Sequence, residues 1–156
     1  MPLTHLDEHG ASRMVDTSAK HETVRTAAAS AVVVLSEELW KLIQHQPLTK
    51  GNVLEVARIA GIQAAKQTGN LIPLCHPLPI TGATVSFKFT DPGRILIETE
   101  IKVVGRTGVE MEALTAASLA ALTIYDMCKS HDKGIIIERI QLETNTGGKS
   151  GDWKRM

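Results

Sequence analysis

Apolar and polar residues alternate along two stretches in the middle of the chain, residues 83–90 and residues 94–104. A period of two sends successive side chains to opposite faces, so both stretches are predicted as half-buried β-strands. The tripeptide Asp91-Pro92-Gly93 between them is a strong turn signal. The pattern therefore predicts an antiparallel β-hairpin.

Three helices are predicted, largely from the residues at their ends. Ser36, followed by two glutamates, is a typical start for a short helix that ends before Pro47. Asn52, with a glutamate three residues later, is similar to a capping box, and Gly69 is the expected end of that second helix. A third, longer helix is predicted from residue 109 to about residue 129.

Two further strands complete the pattern. Residues 23–35 combine an alanine run, which favours helix, with a Val-Val-Val-Leu run, which favours strand, and we predict a strand. Residues 135–142 are predicted as the last strand. The order β-α-α-β-β-α-β predicts an α+β fold, a ferredoxin-like sandwich whose mostly antiparallel sheet carries helices on one face.

The chain is expected to form one domain with two mobile ends. Residues 1–20 are polar and are interpreted as a flexible N-terminal arm that becomes ordered when something binds it. Residues 21–143 are the predicted ferredoxin-like domain. Residues 144–156 contain three glycines and are predicted to be a Gly-rich mobile loop and tail.

Composition changes this picture mainly by exclusion. A length of 156 residues suits one domain, and 17 basic against 17 acidic side chains give a formal net charge of zero. A neutral chain with two Trp, one Tyr and two Phe has little with which to attract or stack a nucleic acid polymer. The 43% hydrophobic content excludes a disordered chain.

The cysteines and the apolar stretches bear on the compartment. Cys75 and Cys128 are too few for a secreted disulfide scaffold, and we expect two free thiols, with a single bridge as the alternative. No stretch has the length and apolar character of a membrane span or a signal peptide. The expected location is the cytoplasm, without membrane association.

One combination of residues is chemically suited to a metal but has the wrong spacing. Cys75 and His76 with Cys128 and His131 contain the ligand types of a Cys2His2 zinc site. Adjacent ligands in an extended chain point in opposite directions, and zinc ligands are usually two to four residues apart. We therefore expect no metal site.

The Gly-rich segment at residues 147–151 ends like a Walker A motif. The first glycine of that motif is replaced by Glu143, and no helix is predicted to follow, so the segment is not a P-loop. Its backbone N–H groups and Lys149 could still reach a phosphate from a mobile loop. A flexible chain end is an equally supported alternative.

Asp126 and Lys129 are three residues apart near the predicted C-terminal end of the long helix, so they share a face. A carboxylate is unfavourable at that end of a helix dipole, which suggests a role in proton transfer. An ordinary surface ion pair is the alternative, and the residues alone favour it.

Further candidates lie around the second helix. His76 stands in a stiff loop between Pro73 and Pro77, which suits contact with a ligand. Lys50 precedes the helix N-terminus, where anions are favoured, and Lys66 lies near the other end of that helix. For both lysines, solubility is the simpler alternative.

Distance along the long helix constrains any shared site. Glu112 and Asp126 are 14 residues apart, which is roughly 21 Å in a helix. If both contribute to one nucleotide-sized site, a second copy of the chain must supply one of them. The alanines between residues 113 and 121 are expected to permit close approach of another element.

Several long strings together resemble one known family. They are Met-Val-Asp at 14–16 with Ser-Ala-Lys at 18–20, and the strings at 57–66, 71–77, 105–118, 122–129 and 147–151. Over about residues 3–154 the chain closely resembles the molybdenum cofactor biosynthesis protein C family. The strings are long and of low degeneracy, so a chance match is remote.

The resemblance implies an activity and an assembly. The family converts (8S)-3',8-cyclo-7,8-dihydroguanosine 5'-triphosphate to cyclic pyranopterin monophosphate and pyrophosphate, as a lyase without a redox cofactor. Magnesium on the substrate triphosphate would add positive charge, and no cofactor is tightly bound. A ferredoxin-like fold is implied, and a homohexamer, a trimer of dimers, with active sites at the subunit interface.

Site residues carry over by motif. Asp126, Lys50 and Lys129 are implied to be catalytic. The residues implied to bind the substrate are Leu74, Cys75, His76, Met111, Glu112, Lys66 and Lys149. Which lysine donates a proton and which neutralises charge stays open. Two alternatives also stay open, namely a regulatory module that binds a small ligand without chemistry, and a zinc-dependent GTP cyclohydrolase.

Overall fold

The first strand of the chain lies at the centre of the sheet. In the computed structural model, which describes residues 3–45, 52–148 and 151–156, five antiparallel strands form one sheet in the order β2-β3-β1-β4-β5. The elements are β1 Thr23–Val34, α1 Glu37–Gln44, α2 Val53–Leu71, β2 Gly82–Phe89, β3 Arg94–Gly105, α3 Glu110–Cys128, β4 Ile136–Thr146 and β5 Trp153–Lys154.

The sheet order confirms the predicted fold class. Strand β1 pairs with β3 on one side and with β4 on the other, and β2 pairs with β3 as the predicted hairpin. The four strands β2-β3-β1-β4, with α2 and α3 in the two crossovers, have the connectivity of a ferredoxin-like α+β sandwich. Segment 23–34 is strand throughout, because the pairing partners on both sides override the helical propensity of its alanines.

The end of the chain contains more strand than the sequence pattern indicates. Strand β4 continues to Thr146, whereas the predicted strand stopped at residue 142, and Asn145 pairs with Trp153 in the short β5. Residues 143–146 are polar, so their pattern does not indicate a strand. They extend β4 because residues 144–146 pair with residues 26–28 of β1. The mobility expected for the two chain ends stays a prediction.

The small side chains of α3 are buried within the subunit. Ala113, Ala116, Ala117 and Ala120 have no exposed surface, and the facing residues of β1 are likewise small and buried. A Cβ on Gly61 of α2 would lie 3.1 Å from the Ala116 carbonyl oxygen, so the two helices cross closely. These alanines permit the expected close approach of another element, and the elements that approach are α2 and the sheet of the same chain.

Two helix caps position the segments that lead to the site. The Ser36 hydroxyl accepts a hydrogen bond from the Leu39 amide, and the Asn52 side chain accepts from the amides of Leu54 and Glu55, as predicted. Glu55 does not complete a capping box, because its carboxylate pairs with Arg58 at 3.1 Å.

Among the described helices, none is long and apolar enough to cross a membrane.

Gly69 does not end α2, which continues for two residues to Leu71. A Cβ at this position would lie 2.7 Å from the Cα of Pro77. The glycine is therefore needed so that the proline-rich loop can return against the helix. This contact determines where residues 73–77 lie.

Candidate active site

A cavity of about 240 Å³ lies where three segments of the chain meet. The segments are the N-terminal arm, the proline-rich loop after α2, and the turn that leads into α3. Its lining residues are Thr4, His5, Val15, Thr17, Lys20, Leu74, Cys75, His76, Leu78, Thr107, Gly108, Glu110, Met111 and Glu112. Five of the seven residues expected to bind substrate are in this set.

The proline-rich loop supplies Leu74, Cys75 and His76 to one wall. The Cys75 amide donates to the Ile72 carbonyl oxygen at 3.1 Å, which closes a turn immediately after the helix. Together with the packing of Pro77 on Gly69, this turn holds the loop rigidly. Ligand contacts on this wall are therefore preorganised.

The start of α3 supplies the acidic wall. Glu112 is only 3% exposed, and it is the one carboxylate that is buried among the described residues. Burial raises the pKa of its carboxyl group to about 7, and the negative charge of Glu110 adds to this rise, while a hydrogen bond from its own backbone amide opposes it. Glu112 is therefore able to gain or lose a proton near neutral pH.

The thiol of Cys75 lies in the same environment. Burial raises its pKa, and so do the negative charges of Glu112 and Glu110. The thiol therefore stays protonated at neutral pH, and it is suited to donate a weak hydrogen bond rather than to act as a nucleophile.

Glu110 is fixed by a contact from the sheet. The side-chain amide of Asn145, on β4, donates to Glu110 Oε1 at 2.7 Å. On the other side, the Glu110 carboxylate folds back over Gly108, where an added Cβ would lie 2.6 Å from Oε1. A residue larger than glycine would displace this carboxylate.

The N-terminal arm forms a wall that sequence reasoning missed. Its described part folds on itself, because the Arg13 side chain donates to the Thr4 carbonyl oxygen at 3.1 Å and the Arg13 amide donates to the His5 carbonyl oxygen at 2.8 Å. His5, Thr17 and Lys20 thereby reach the cavity. Of these three, only Lys20 belongs to a family string, Ser-Ala-Lys at 18–20, and that string is the signal that could have identified it.

Asp126 and Lys129 lie away from this cavity. Lys129 Nζ is 2.8 Å from Asp126 Oδ1, and their side chains are 56% and 68% exposed respectively. The hydrogen bond with Asp126 and its charge raise the pKa of Lys129. The pair stands near the C-terminal end of α3, roughly 21 Å along the helix from Glu112. Within one subunit, the predicted catalytic carboxylate and the predicted substrate site are not brought together.

Lys66, which is predicted to bind substrate, is not among the residues that line the cavity. Lys66 lines a separate surface groove of about 410 Å³ beside β2, which shares only Leu78 with the cavity. Lys50 and Lys149 lie outside the described residues, so their predicted roles stay predictions.

The first residues of the Gly-rich loop lie against β1. Gly147 and Gly148 follow β4 and lie against Arg25 of β1, whose guanidinium also donates to the Gly105 carbonyl oxygen at 3.1 Å. The next described element is the strand β5 rather than a helix, in agreement with the conclusion that this is not a P-loop.

The two cysteines are separate free thiols, as expected. Cys75 lines the cavity, whereas Cys128 is buried and lines a small pocket of about 120 Å³ with His131. The two halves of the possible Cys2His2 set therefore lie in different places. Across residues 3–45, 52–148 and 151–156, no group of three or more His, Cys, Asp or Glu side chains could hold a metal ion.

Fold and cavity together define a ferredoxin-like α+β protein with a cavity lined by ionisable groups. A family model described as "MoaC family" matches residues 14–148, and the chain belongs to this family. Three relatives carry the name cyclic pyranopterin monophosphate synthase. The protein from Desulfitobacterium hafniense is 57% identical over 99% of this chain and 95% of its own length. That from Nocardioides sp. is 55% identical (98% and 95%), and that from Bacillus thuringiensis is 53% identical (98% and 97%).

Proposed function

We propose that this chain is a cyclic pyranopterin monophosphate synthase of molybdenum cofactor biosynthesis. Its substrate would be (8S)-3',8-cyclo-7,8-dihydroguanosine 5'-triphosphate, and its products cyclic pyranopterin monophosphate and pyrophosphate. Family membership and the relatives named above support the proposal. The observation that carries it is the meeting of Leu74, Cys75, His76, Met111 and Glu112 in one cavity.

The chemistry proposed is that of a lyase acting by general acid–base catalysis. Opening the guanine-derived imidazole ring and closing the pterin ring require several proton transfers. Glu112, with a pKa raised to about 7, is suited to take part in them as a proton donor or acceptor. Asp126 and the lysines are the further proposed groups, and the lysines would neutralise charge as pyrophosphate leaves.

The complete site is proposed to form between subunits. Asp126 and Lys129 are exposed, and they are too far along α3 to reach a ligand in the cavity of their own subunit. A neighbouring copy would present this pair to the cavity, in a homohexamer arranged as a trimer of dimers. Lys50, Lys66 and Lys149 are proposed to join the site in that assembly.

The proposed function also includes a role for magnesium and a location in the cell. Magnesium bound to the substrate triphosphate would add positive charge, with no other cofactor required. A cytoplasmic location is proposed because the substrate derives from GTP and both cysteines are free thiols.

The test is turnover by the purified full chain. Supplied with the cyclic dihydroguanosine triphosphate, it should release pyrophosphate and the cyclic pyranopterin in equal amounts, and Asp126→Ala should abolish both. Binding of the substrate without turnover would instead support the regulatory module. Activity that is lost on chelation and restored by zinc alone would support the zinc cyclohydrolase.

A further inference from the structure

One side chain of the sheet, that of Asn145, hydrogen-bonds a carboxylate in the acidic wall of the cavity. Asn145 lies on β4 between Ala27 of β1 and Trp153 of β5, so its backbone is fixed from both sides. Its side-chain amide donates to Glu110 Oε1 at 2.7 Å. Asn145 itself does not line the cavity.

We propose that Asn145 is a positioning residue of the active site, which holds the Glu110 carboxylate at the cavity wall and links the β4–β5 hairpin to the start of α3. This inference rests on the proposed function of the cavity. It goes beyond that function, because neither the motifs nor the family strings assign any role to Asn145.

The chemistry of the donor matters for this role. An amide can orient a carboxylate without neutralising it, whereas a lysine or arginine would cancel its charge. With Gly108 leaving room on the other side, the Glu110 carboxylate is held at a fixed place near the buried Glu112. That charge is one of the causes that raise the pKa of Glu112.

Other charged and titratable groups line the same cavity as Glu112. Cys75 and His76 approach from the proline-rich loop, and His5 and Lys20 from the arm. The side chain of Asn145 hydrogen-bonds Glu110, so replacing Asn145 is expected to act first on Glu110 and through its charge on Glu112.

The contact also connects the site to the Gly-rich loop. Strands β4 and β5 close the base of the loop, and Asn145 is the β4 residue that pairs with Trp153 there. The hydrogen bond to Glu110 thus fixes the base of the hairpin against the first turn of α3. A shift of the hairpin would move the Glu110 carboxylate with it.

The test compares Asn145→Ala with a matched control on the same strand. Gln141 also donates an amide hydrogen bond to a carboxylate, that of Glu143 at 2.6 Å, and neither residue lines the cavity. The readouts are the carboxyl 13C titration of Glu112, assigned by its loss in Glu112→Gln, and the pH dependence of kcat and KM.

In Asn145→Ala the freed Glu110 carboxylate moves towards solvent, and the titration midpoint of Glu112 should fall by about half a pH unit. The pH profile of kcat should shift in the same direction. Asn145→Gln, which retains the amide donor, should restore much of the difference, and Gln141→Ala should leave both readouts unchanged.

An unchanged midpoint in Asn145→Ala, or an equal shift in Gln141→Ala, would overturn the proposal. A lower midpoint with an unaltered kcat profile would support the positioning role and contradict the acid–base role proposed for Glu112, so the two can fail separately. If Asn145→Ala does not fold, as judged by circular dichroism, Asn145→Ser provides the same test, since its hydroxyl is too short to replace the amide contact.

Discussion

Glu112 and Asp126 lie on the same helix, α3, but near its opposite ends, the first buried at a cavity and the second exposed in an ion pair with Lys129. A straight helix keeps them roughly 21 Å apart. Each belongs to a group of residues suited to the proposed reaction, and the fold keeps the two groups apart within one chain. The proposed active site made from two subunits would bring them together.

Subunit mixing should therefore restore activity. Glu112→Gln and Asp126→Ala should each be inactive alone, because each removes from every site one of the two carboxylates that the proposed reaction needs. After the two proteins are unfolded together and refolded at equal concentration, about a quarter of the sites should contain both native residues. Pyrophosphate release measures the recovery. If both variants are inactive and the mixture is too, the shared site is contradicted.

Glu112 should make stability fall as the pH rises. Its folded-state pKa is about 7 against an ordinary value of 4.5, so its protonated form is the one compatible with burial. The contribution is present below the unfolded-state pKa and is lost as the pH rises through about 7. Relative to Glu112→Gln, the wild type should lose about 2–3 kcal/mol of unfolding free energy between about pH 5 and pH 8.

Urea denaturation of both proteins at several pH values measures this difference. Asp91→Asn, which changes an exposed turn carboxylate, serves as the control and should follow the wild type. A difference between wild type and Glu112→Gln that does not vary with pH would show that Glu112 is ionised throughout the range.

Asp126→Asn should separate activity from stability. The ion pair with Lys129 is exposed, so its loss should leave Tm almost unchanged. Loss of a proton-transfer group should lower kcat by about 100-fold or more. Glu37→Gln, which breaks the exposed pair with Lys41 at 3.3 Å on α1, is the matched control for both measurements. Full activity of Asp126→Asn would remove this residue from the mechanism.

Gly69→Ala should weaken substrate binding, although Gly69 does not line the cavity. The new methyl group would meet the Pro77 backbone at 2.7 Å, and the loop that carries Cys75 and His76 would have to move. We expect an increased KM and a loss of about 1–3 kcal/mol in unfolding free energy. Gly134→Ala is the control, because its methyl group would meet only the end of the Asp132 side chain, which can shift. A normal KM in Gly69→Ala would show that the loop adapts.

Features that depend on neighbouring residues were predictable from the sequence. The hairpin at 82–105, the caps at Ser36 and Asn52, and the contact between Asp126 and Lys129 all follow from local periodicity and spacing. The motif strings also identified loop and helix residues that the structure brings into one cavity. These signals survive because turns, caps and contacts within one helical turn need no information about distant segments.

Other features required the folded chain. Gly69 is indistinguishable from a helix stop until Pro77 is seen against it, and only the fold shows that the elements packed on the alanines of α3 are α2 and the sheet. The arm residues Thr17 and Lys20 have no local pattern that predicts a cavity wall. In each case the deciding contact joins residues that are distant along the chain.

The sequence by itself determined the order of strands and helices up to β4, the neutral and aromatic-poor composition, and the family strings. The tertiary structure decided which of those residues meet. It buries Glu112 beside Glu110 and thereby raises the pKa of Glu112, and it leaves Asp126 exposed at the far end of α3. The physical reason is that desolvation and charge–charge interactions depend on distances in space, which spacing along the chain specifies only within a single element.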